Sequence, residues 1–227
     1  MTKIYCFSGG GHTLAVAQAF SEMLGCEIAD ITHSTEHFPD TAIIIFPVYC
    51  QNIPGPVKAF LKSFHAKHIV LIATYGRISH GNVLWEAQNL VQGDVIAGAY
   101  IPTGHSFLNE SCNFSAECLL PIADRIRTPC KVQLPKCRKN LLANIMPAFR
   151  SRISVKIRKN ELCSNCGICQ ERCPMHAIKD GKITSQCIRC LRCVVNCPQG
   201  ALRYENSWIL NQYLNRYSKH CEPTVYL

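Results

Sequence analysis

Short apolar runs alternate with helix-length segments along the first hundred residues of the chain. The runs are rich in β-branched and aromatic residues and end in glycine, proline or polar residues, which is typical of strands buried on both faces. Five strands are predicted, at residues 3–7, 27–31, 42–46, 68–73 and 95–101. Three helices are predicted between them, at residues 14–23, 56–63 and 82–91. This alternation predicts an α/β unit with a doubly wound, five-stranded parallel sheet.

The pattern changes after residue 128. Residues 1–128 hold ten acidic and seven basic side chains, whereas residues 129–160 hold nine Lys or Arg and no acid. We therefore predict an α/β domain at 1–128, a basic connector at 129–160, a small cysteine-rich domain at 161–205 and a C-terminal helical segment at 206–227. The apolar run "LLANIMPAF" predicts a helix in the connector that ends near Pro147.

The sixteen cysteines of this 227-residue chain bear on its compartment and its chemistry. No run of 18 apolar residues is present, and the N-terminus lacks the charged-then-apolar layout of a signal peptide. These features lead us to expect a cytoplasmic protein without a membrane span. In a reducing compartment, cysteines stay free or bind metal rather than form disulfides.

Half of the cysteines form two quartets with the same spacing. Residues 163–174 read "CSNCGICQERCP" and residues 187–198 read "CIRCLRCVVNCP", so both fit C-x2-C-x2-C-x3-C-P. The repeat continues beyond each proline, and Asp180-Gly181 suits a two-residue hairpin turn. A zinc site favours two C-x2-C pairs with a spacer and no third cysteine or trailing proline.

The spacing favours two [4Fe–4S] clusters. Three thiolates at i, i+3 and i+6 reach three irons of one cubane, and the fourth cysteine, redirected by its proline, ligates the other cluster. The first predicted ligand set is Cys163, Cys166, Cys169 and Cys197, and the second is Cys187, Cys190, Cys193 and Cys173. Residues 160–205 resemble bacterial two-cluster ferredoxins, a resemblance that implies low-potential one-electron transfer and a small α+β fold.

A glycine loop follows the first predicted strand, in "FSGGGHT". A strand, a glycine turn and a helix together form a common anion site, because helix N-terminal amides point at the ligand. The loop lacks the Lys of a G-x-x-x-x-G-K-[ST] nucleotide loop, and Leu14 replaces the third glycine of G-x-G-x-x-G. Asp30 is the one candidate for a ribose-binding acid after the second strand. The remaining interpretation is a Ser/Thr-and-glycine cradle for a phosphate monoester.

This loop is similar to the FMN phosphate loop of flavodoxin. Ser8, Gly11 and Thr13 match that loop, while Gly10 replaces a Thr and His12 replaces an Asn. The resemblance covers residues 1–128 and implies that FMN binds at the carboxyl ends of the strands. The implied FMN-binding residues are Ser8, Gly9, Gly10, Gly11, His12, Thr13, Pro47, Tyr49, Cys50, Asn52, Ile53, Thr74, Tyr75, Gly76 and Arg77.

The whole chain resembles the flavodoxin–ferredoxin fusion family of anaerobic microbes. The resemblance implies electron transfer between FMN and two [4Fe–4S] clusters, with other redox proteins as partners. Three bound cofactors lower the net charge from +9 to about +3. The remaining basic surplus suits an acidic redox partner, and no RNA-binding motif favours a nucleic acid. An electron carrier is favoured over a substrate-specific enzyme; the alternative is a flavin reductase that reduces a small molecule at the FMN face.

Overall fold

A computed structural model describes residues 1–33, 39–108, 110–179 and 181–227. The first five strands are β1 (Thr2–Cys6), β2 (Ile28–Asp30), β3 (Thr41–Pro47), β4 (His65–Tyr75) and β5 (Gln92–Pro102). They lie in the order β2-β1-β3-β4-β5 and every neighbouring pair is parallel. This order occurs in flavodoxin-like doubly wound sheets, so the predicted α/β class is confirmed for this part of the chain.

Helices cover both faces of the sheet. They are α1 (His12–Leu24), α2 (Gly55–Ser63), α3 (Val83–Gln88) and α4 (Leu120–Arg127). Successive β1 residues point to opposite faces: Tyr5 belongs to the buried cluster that includes residues of α2 and α3, whereas Ile4 belongs to the cluster that includes residues of α1 and α4. Strand β3 is covered by helices on both faces and is therefore almost continuously apolar. This explains why it could be recognised as a strand in the sequence.

The sheet has six strands rather than the predicted five. Strand β10 (Thr224–Tyr226) pairs antiparallel with β5, next to Tyr100, Ala99 and Gly98. Three residues at the end of the chain are too short to show strand periodicity. Residues 224–226 therefore form an edge strand of the N-terminal sheet.

Two predicted boundaries near α3 were wrong. The helix ends at Gln88 rather than residue 91, and β5 begins at Gln92 rather than residue 95. Residues 92–94 are exposed, so they carry no apolar signal. Strand β4 is likewise longer than predicted, beginning at His65.

The basic connector packs along the N-terminal domain. Leu134 is buried in the core, and its amide donates to Gln88 Oε1. Lys139 pairs with Glu86 and also donates to Asn52 Oδ1. The prediction of a helix ending near Pro147 was wrong: a 3-10 turn spans Leu141–Asn144, and helix α5 (Pro147–Ser154) begins at the proline. Proline suits a first helical turn, where its missing amide costs no hydrogen bond.

The C-terminal part forms a small α+β unit. Strand β6 (Val155–Lys159) pairs antiparallel with β9 (Leu202–Asn206). Strands β7 (Ile178–Lys179) and β8 (Lys182–Ile183) form a short hairpin; Asp180 of its predicted turn lies outside the described residues. The one-turn helices α6 (Ile168–Glu171) and α7 (Arg192–Val195) lie in the two cysteine segments.

The predicted C-terminal helical segment contains α8 (Trp208–Tyr217), capped by the Ser207 hydroxyl, which accepts from the Leu210 amide. Trp208 and Tyr213 on this helix are exposed. Across the described ranges of the chain, no helix has the length and apolarity needed to cross a membrane.

Candidate redox site

The structure brings the first predicted ligand set around one cavity. Cys163, Cys166, Cys169 and Cys197 all line a cavity of about 740 Å³. Cys197 comes from the second repeat, 24 positions after Cys173. The fourth cysteine of the second repeat thus lies beside the first three cysteines of the first repeat. Elsewhere around the cavity lie Ile178 and Leu202, which form part of the small core of this unit.

A second, smaller cavity holds the other set. Cys187, Cys190 and Cys193 line it together with Cys173 from the first repeat. Cys187 and Cys193 are buried, whereas Cys166 of the first set is exposed. The described residues include no three Cys, His or carboxylate side chains converging on one point as a mononuclear metal site needs. Each quartet instead surrounds a space.

The two repeats share their backbone geometry. Asn165 and Arg189, 24 positions apart, have φ of 55° and 57°. Gly167 and Leu191, also 24 positions apart, have φ of 81° and 65° and precede the one-turn helices. A buried leucine rarely adopts a left-handed conformation, so the cysteine loop imposes it.

Backbone amides also point at equivalent thiols. The Ala177 amide donates to Cys173 Sγ and the Ala201 amide donates to Cys197 Sγ, each at 3.3 Å. For Cys197, burial raises the thiol pKa, but the amides of Ala201, Gln199 and Leu202 outweigh it and lower the pKa. Such hydrogen bonds stabilise thiolate and tune iron–sulfur potentials.

Burial raises the pKa of the inner thiols. The pKa of Cys190 rises to about 11 and that of Cys193 to about 12, in each case chiefly through desolvation. Metal binding at this set must therefore displace the thiol protons.

The family comparison decides what this unit is. A family model described as a 4Fe-4S binding domain matches residues 157–179 and 182–203, one match for each cysteine repeat. The C-terminal part of the chain contains a ferredoxin-type 4Fe–4S binding domain. Its presence indicates iron–sulfur electron transfer. Searches of curated proteins and of solved structures found no match to the chain.

The glycine loop lies at the carboxyl edge of the sheet, next to the ferredoxin-type domain. Gly11 has φ of 98° and precedes the first helical residue, His12. The Ser8 hydroxyl accepts from the Leu14 amide at 3.2 Å, and Thr13 Oγ1 lies 2.8 Å from Thr74 Oγ1. Two of the hydroxyls that the flavodoxin resemblance assigns to phosphate thus also tie the loop together.

Five amides of this loop remain available. Those of Gly9, Gly10, Gly11, His12 and Thr13 have no acceptor among the described residues. His12 Nε2 lies 3.0 Å from the Glu110 carbonyl oxygen, which leaves its buried Nδ1 without a partner in that same set of residues. The loop can therefore hold an anion with backbone amides.

The loop after β3 forms a tight turn. Tyr49 and Asn52 exchange backbone hydrogen bonds across Cys50 and Gln51, which both have positive φ. The Asn52 side-chain amide donates to Cys50 and to Ala143 of the connector. Pro47 ends β3, Ile53 is buried, and Cys50 is exposed with its thiol 3.6 Å from the Ser151 hydroxyl.

Tyr49 points at the glycine loop and the ferredoxin-type domain. A Cβ built on Gly9 would lie 2.6 Å from the Tyr49 hydroxyl and 2.0 Å from the Cys190 carbonyl oxygen. Burial, followed by the nearby Cys190 thiol, raises the pKa of Tyr49 well above its usual range. Gly9 and Tyr49, both predicted site residues, thus lie close to Cys190, a predicted cluster ligand.

The loop after β4 meets the loop after β5. Tyr75 is buried, and Gly76 lies so close to His105 that a Cβ there would be 2.3 Å from the imidazole. Arg77 forms an ion pair with Glu110, whose carboxylate also accepts from the His105 amide at 2.8 Å. Burial lowers the pKa of His105 to about 4. Burial raises the pKa of Glu110, but the His105 amide and Arg77 outweigh it, so that pKa is lowered.

Sequence reasoning missed Glu110 and Arg192 as site residues. Glu110 lies in a segment without periodicity, so no pattern revealed it. Arg192 had a signal, because it replaces the apolar Ile168 of the first repeat. Asp30, the candidate ribose-binding acid, instead pairs with Arg192 at 3.0 Å.

Proposed function

We propose that the chain is an electron relay that joins FMN, bound at the glycine loop, to two [4Fe–4S] clusters. The observation that carries this proposal is the contact between Gly9 and the Cys190 carbonyl, because it puts a predicted cluster ligand against the predicted cofactor loop. When bound, FMN supplies one- and two-electron chemistry, whereas each cluster exchanges one electron.

The cluster ligands in this proposal are the two crossed sets. Cys163, Cys166, Cys169 and Cys197 hold the first cluster, and Cys173, Cys187, Cys190 and Cys193 hold the second. Support comes from the separate cavity that each set lines and from the equivalent amide-to-sulfur hydrogen bonds.

The residues at the glycine loop fit the phosphate end of FMN. Five amides without an acceptor among the described residues can donate to it, and the Ser8 hydroxyl hydrogen adds a further donor. Because Thr13 is bonded to Thr74, the loop holds the phosphate mainly through amides. The loops that carry Tyr49, Asn52, Tyr75 and Arg77 flank the flavin ring in this proposal.

The relay exchanges electrons with separate redox proteins of acidic surface. Lys156, Lys159 and Lys182 line the rim of the first cavity, where Arg158 is paired with Glu205. Their positive charge steers an acidic partner towards the first cluster and orients it there. The connector residues Lys131 and Lys139 are paired with Asp94 and Glu86. These two lysines therefore hold the connector against the N-terminal domain instead of attracting a partner.

A flavin reductase is the second candidate function. It is favoured by the group of His12, Arg77, His105 and Glu110, which joins proton donors and acceptors beside the glycine loop. A reductase needs such groups to protonate its product. Turnover of small-molecule oxidants without any protein acceptor would favour this candidate over the carrier.

Anaerobic purification of the full chain, with iron, sulfide and flavin quantified, tests the proposal. We expect about eight irons, eight sulfides and one FMN per chain. Riboflavin, which lacks the phosphate, should bind much more weakly than FMN. Iron with no uptake of added FMN would leave the ferredoxin-type domain without the proposed flavin and would refute the relay.

A further inference from the structure

A single arginine of the second cysteine repeat is buried at the contact between the two domains. The Arg192 side chain is 7 % exposed. Its equivalent in the first repeat, 24 positions earlier, is Ile168. Cluster ligation does not require a cation at this position, since the first repeat has none there. Arg192 therefore has a role that only the second repeat performs.

The guanidinium contacts two segments of the N-terminal domain, residues 7–8 and residues 30–32. Its Nε donates to the Ser8 carbonyl oxygen at 2.9 Å. One terminal nitrogen lies 3.0 Å from both Thr32 Oγ1 and Asp30 Oδ2. The charged group also lies over the Phe7 ring, 5.0 Å from its centroid. A planar guanidinium suits such a set of directed contacts better than an ammonium does.

The backbone of the same residue belongs to the cluster loop. Arg192 lies between the predicted ligands Cys190 and Cys193, and the Cys190 carbonyl oxygen lies against Gly9. One residue thus joins a predicted ligand of the second cluster to Ser8, the first residue of the glycine loop. No ligand of the first cluster has such a link in the described part of the chain.

We propose that Arg192 is a positioning residue that holds the second cluster against the glycine loop and makes it the inner cluster of the relay. The inference rests on the proposed function, because it concerns the path between the same cofactors. The first cluster is then the outer one, with Cys166 exposed and a basic rim open to solvent.

The electrons balance over two rounds. With its cofactors bound, the chain would pass one electron at a time from a low-potential donor protein through the first cluster to the second and on to FMN. Two such electrons, with two protons from water, would balance the two-electron reduction of FMN. Since a [4Fe–4S] cluster becomes more negative on reduction, the Arg192 cation stabilises the reduced second cluster.

The test compares Arg192→Gln and Arg192→Lys with the control Arg127→Gln, whose side chain is 74 % exposed and distant in sequence from both cysteine repeats. In the full cluster-loaded chain we would measure the reduction potential of each cluster and the hydrogen exchange of the Phe7, Leu14 and Thr32 amides, which are hydrogen-bonded beside the residues that Arg192 contacts. In Arg192→Gln, the reduced-to-oxidised ratio of the second cluster at fixed potential should fall about tenfold, with the first cluster unchanged. Exchange at the Phe7, Leu14 and Thr32 amides should accelerate about tenfold or more.

The other variants separate the effect of the charge from the effect of the directed contacts. Arg192→Lys keeps the charge, so the reduction potential of the second cluster should change little, whereas amide exchange should still accelerate. Arg127→Gln should change neither the potential nor the exchange. If Arg192→Gln does not assemble its clusters, Thr32→Val removes the hydroxyl that accepts from the Arg192 guanidinium and should accelerate exchange at the same amides.

Two results would overturn the inference. One is unchanged exchange at the Phe7, Leu14 and Thr32 amides in both Arg192→Gln and Thr32→Val. The other is an equal shift of both cluster potentials, which would mark a general charge effect. Neither readout needs bound FMN, so absence of flavin would refute the proposed function while leaving this test intact.

Discussion

The Cys190 carbonyl oxygen occupies the place where Gly9 would carry a side chain. A Cβ built on Gly9 would lie only 2.0 Å from that oxygen. The closeness of the two domains therefore depends on a glycine, at a residue whose φ is not in the left-handed region. Glycine at this position serves the contact between domains rather than a backbone conformation.

Substitution Gly9→Ala should separate the domains locally. We expect a loss of about 1–3 kcal/mol in stability, because the backbone at Cys190 must move to accept a methyl group. Melting of the cluster-loaded chain at a fixed scan rate measures this. The control is Gly55→Ala at the start of α2, where a Cβ meets nothing within 4 Å. Equal melting temperatures for the two variants would show that the contact has no energetic importance.

The crossed ligand sets predict which cysteine variants behave alike. Cys173→Ala and Cys187→Ala should each lose the second cluster, although they lie in different repeats. Cys163→Ala and Cys197→Ala should each lose the first. Electron paramagnetic resonance of the reduced chain, with iron counted, distinguishes the pairs. If Cys173→Ala instead resembles Cys163→Ala, each repeat holds its own cluster.

Because His105 is partly buried, we expect the free energy of unfolding to depend on pH. Burial lowers its pKa from about 6.5 to about 4, so below pH 6.5 the unfolded chain binds a proton that the folded chain does not. Stability should therefore fall by about 1 kcal/mol between pH 7.5 and pH 5.5 through this residue. His105→Asn should flatten that part of the curve, measured by urea unfolding at each pH. An unchanged slope in the variant would assign the pH dependence to another group.

The basic rim of the first cavity predicts charge-selective electron exchange. Oxidation of the reduced chain by anionic hexacyanoferrate should slow about threefold or more as ionic strength rises from about 20 mM to about 500 mM. The cationic oxidant hexaammineruthenium should show the opposite trend. The double variant Lys156→Gln/Lys182→Gln should weaken both trends, whereas Lys58→Gln/Lys62→Gln on α2 should not. Rates independent of salt for both reagents would exclude steering by this rim.

Much of the fold could be predicted from local patterns. Strands β1, β3, β4 and β5 have buried apolar runs that marked them, and the cysteine spacing indicated two crossed quartets. Strand β10 could not be predicted, because three residues carry no period and its partner β5 lies more than 120 positions away in sequence. The start of α5 at Pro147 was missed because the apolar run before it was interpreted as the helix itself.

The candidate site was predicted from the sequence as separate residues and not as an assembly. The glycine loop and the cysteines were identified from motifs, whereas their contact depends on Arg192, Ser8 and Asp30, which are distant in sequence. Comparison of the two repeats singles out Arg192 against Ile168. It does not reveal where the guanidinium binds, because that depends on how the domains pack.

The central claim is that FMN and both clusters form one relay, and an anaerobic reductive titration of the full chain tests it most directly. With a one-electron reductant added stepwise, the account predicts uptake of about four electrons per chain, one for each cluster and two for FMN. Both the flavin and the iron–sulfur absorption bands should bleach. Uptake of about two electrons per chain, with no flavin band retained after addition of FMN and removal of the unbound flavin, would contradict the relay.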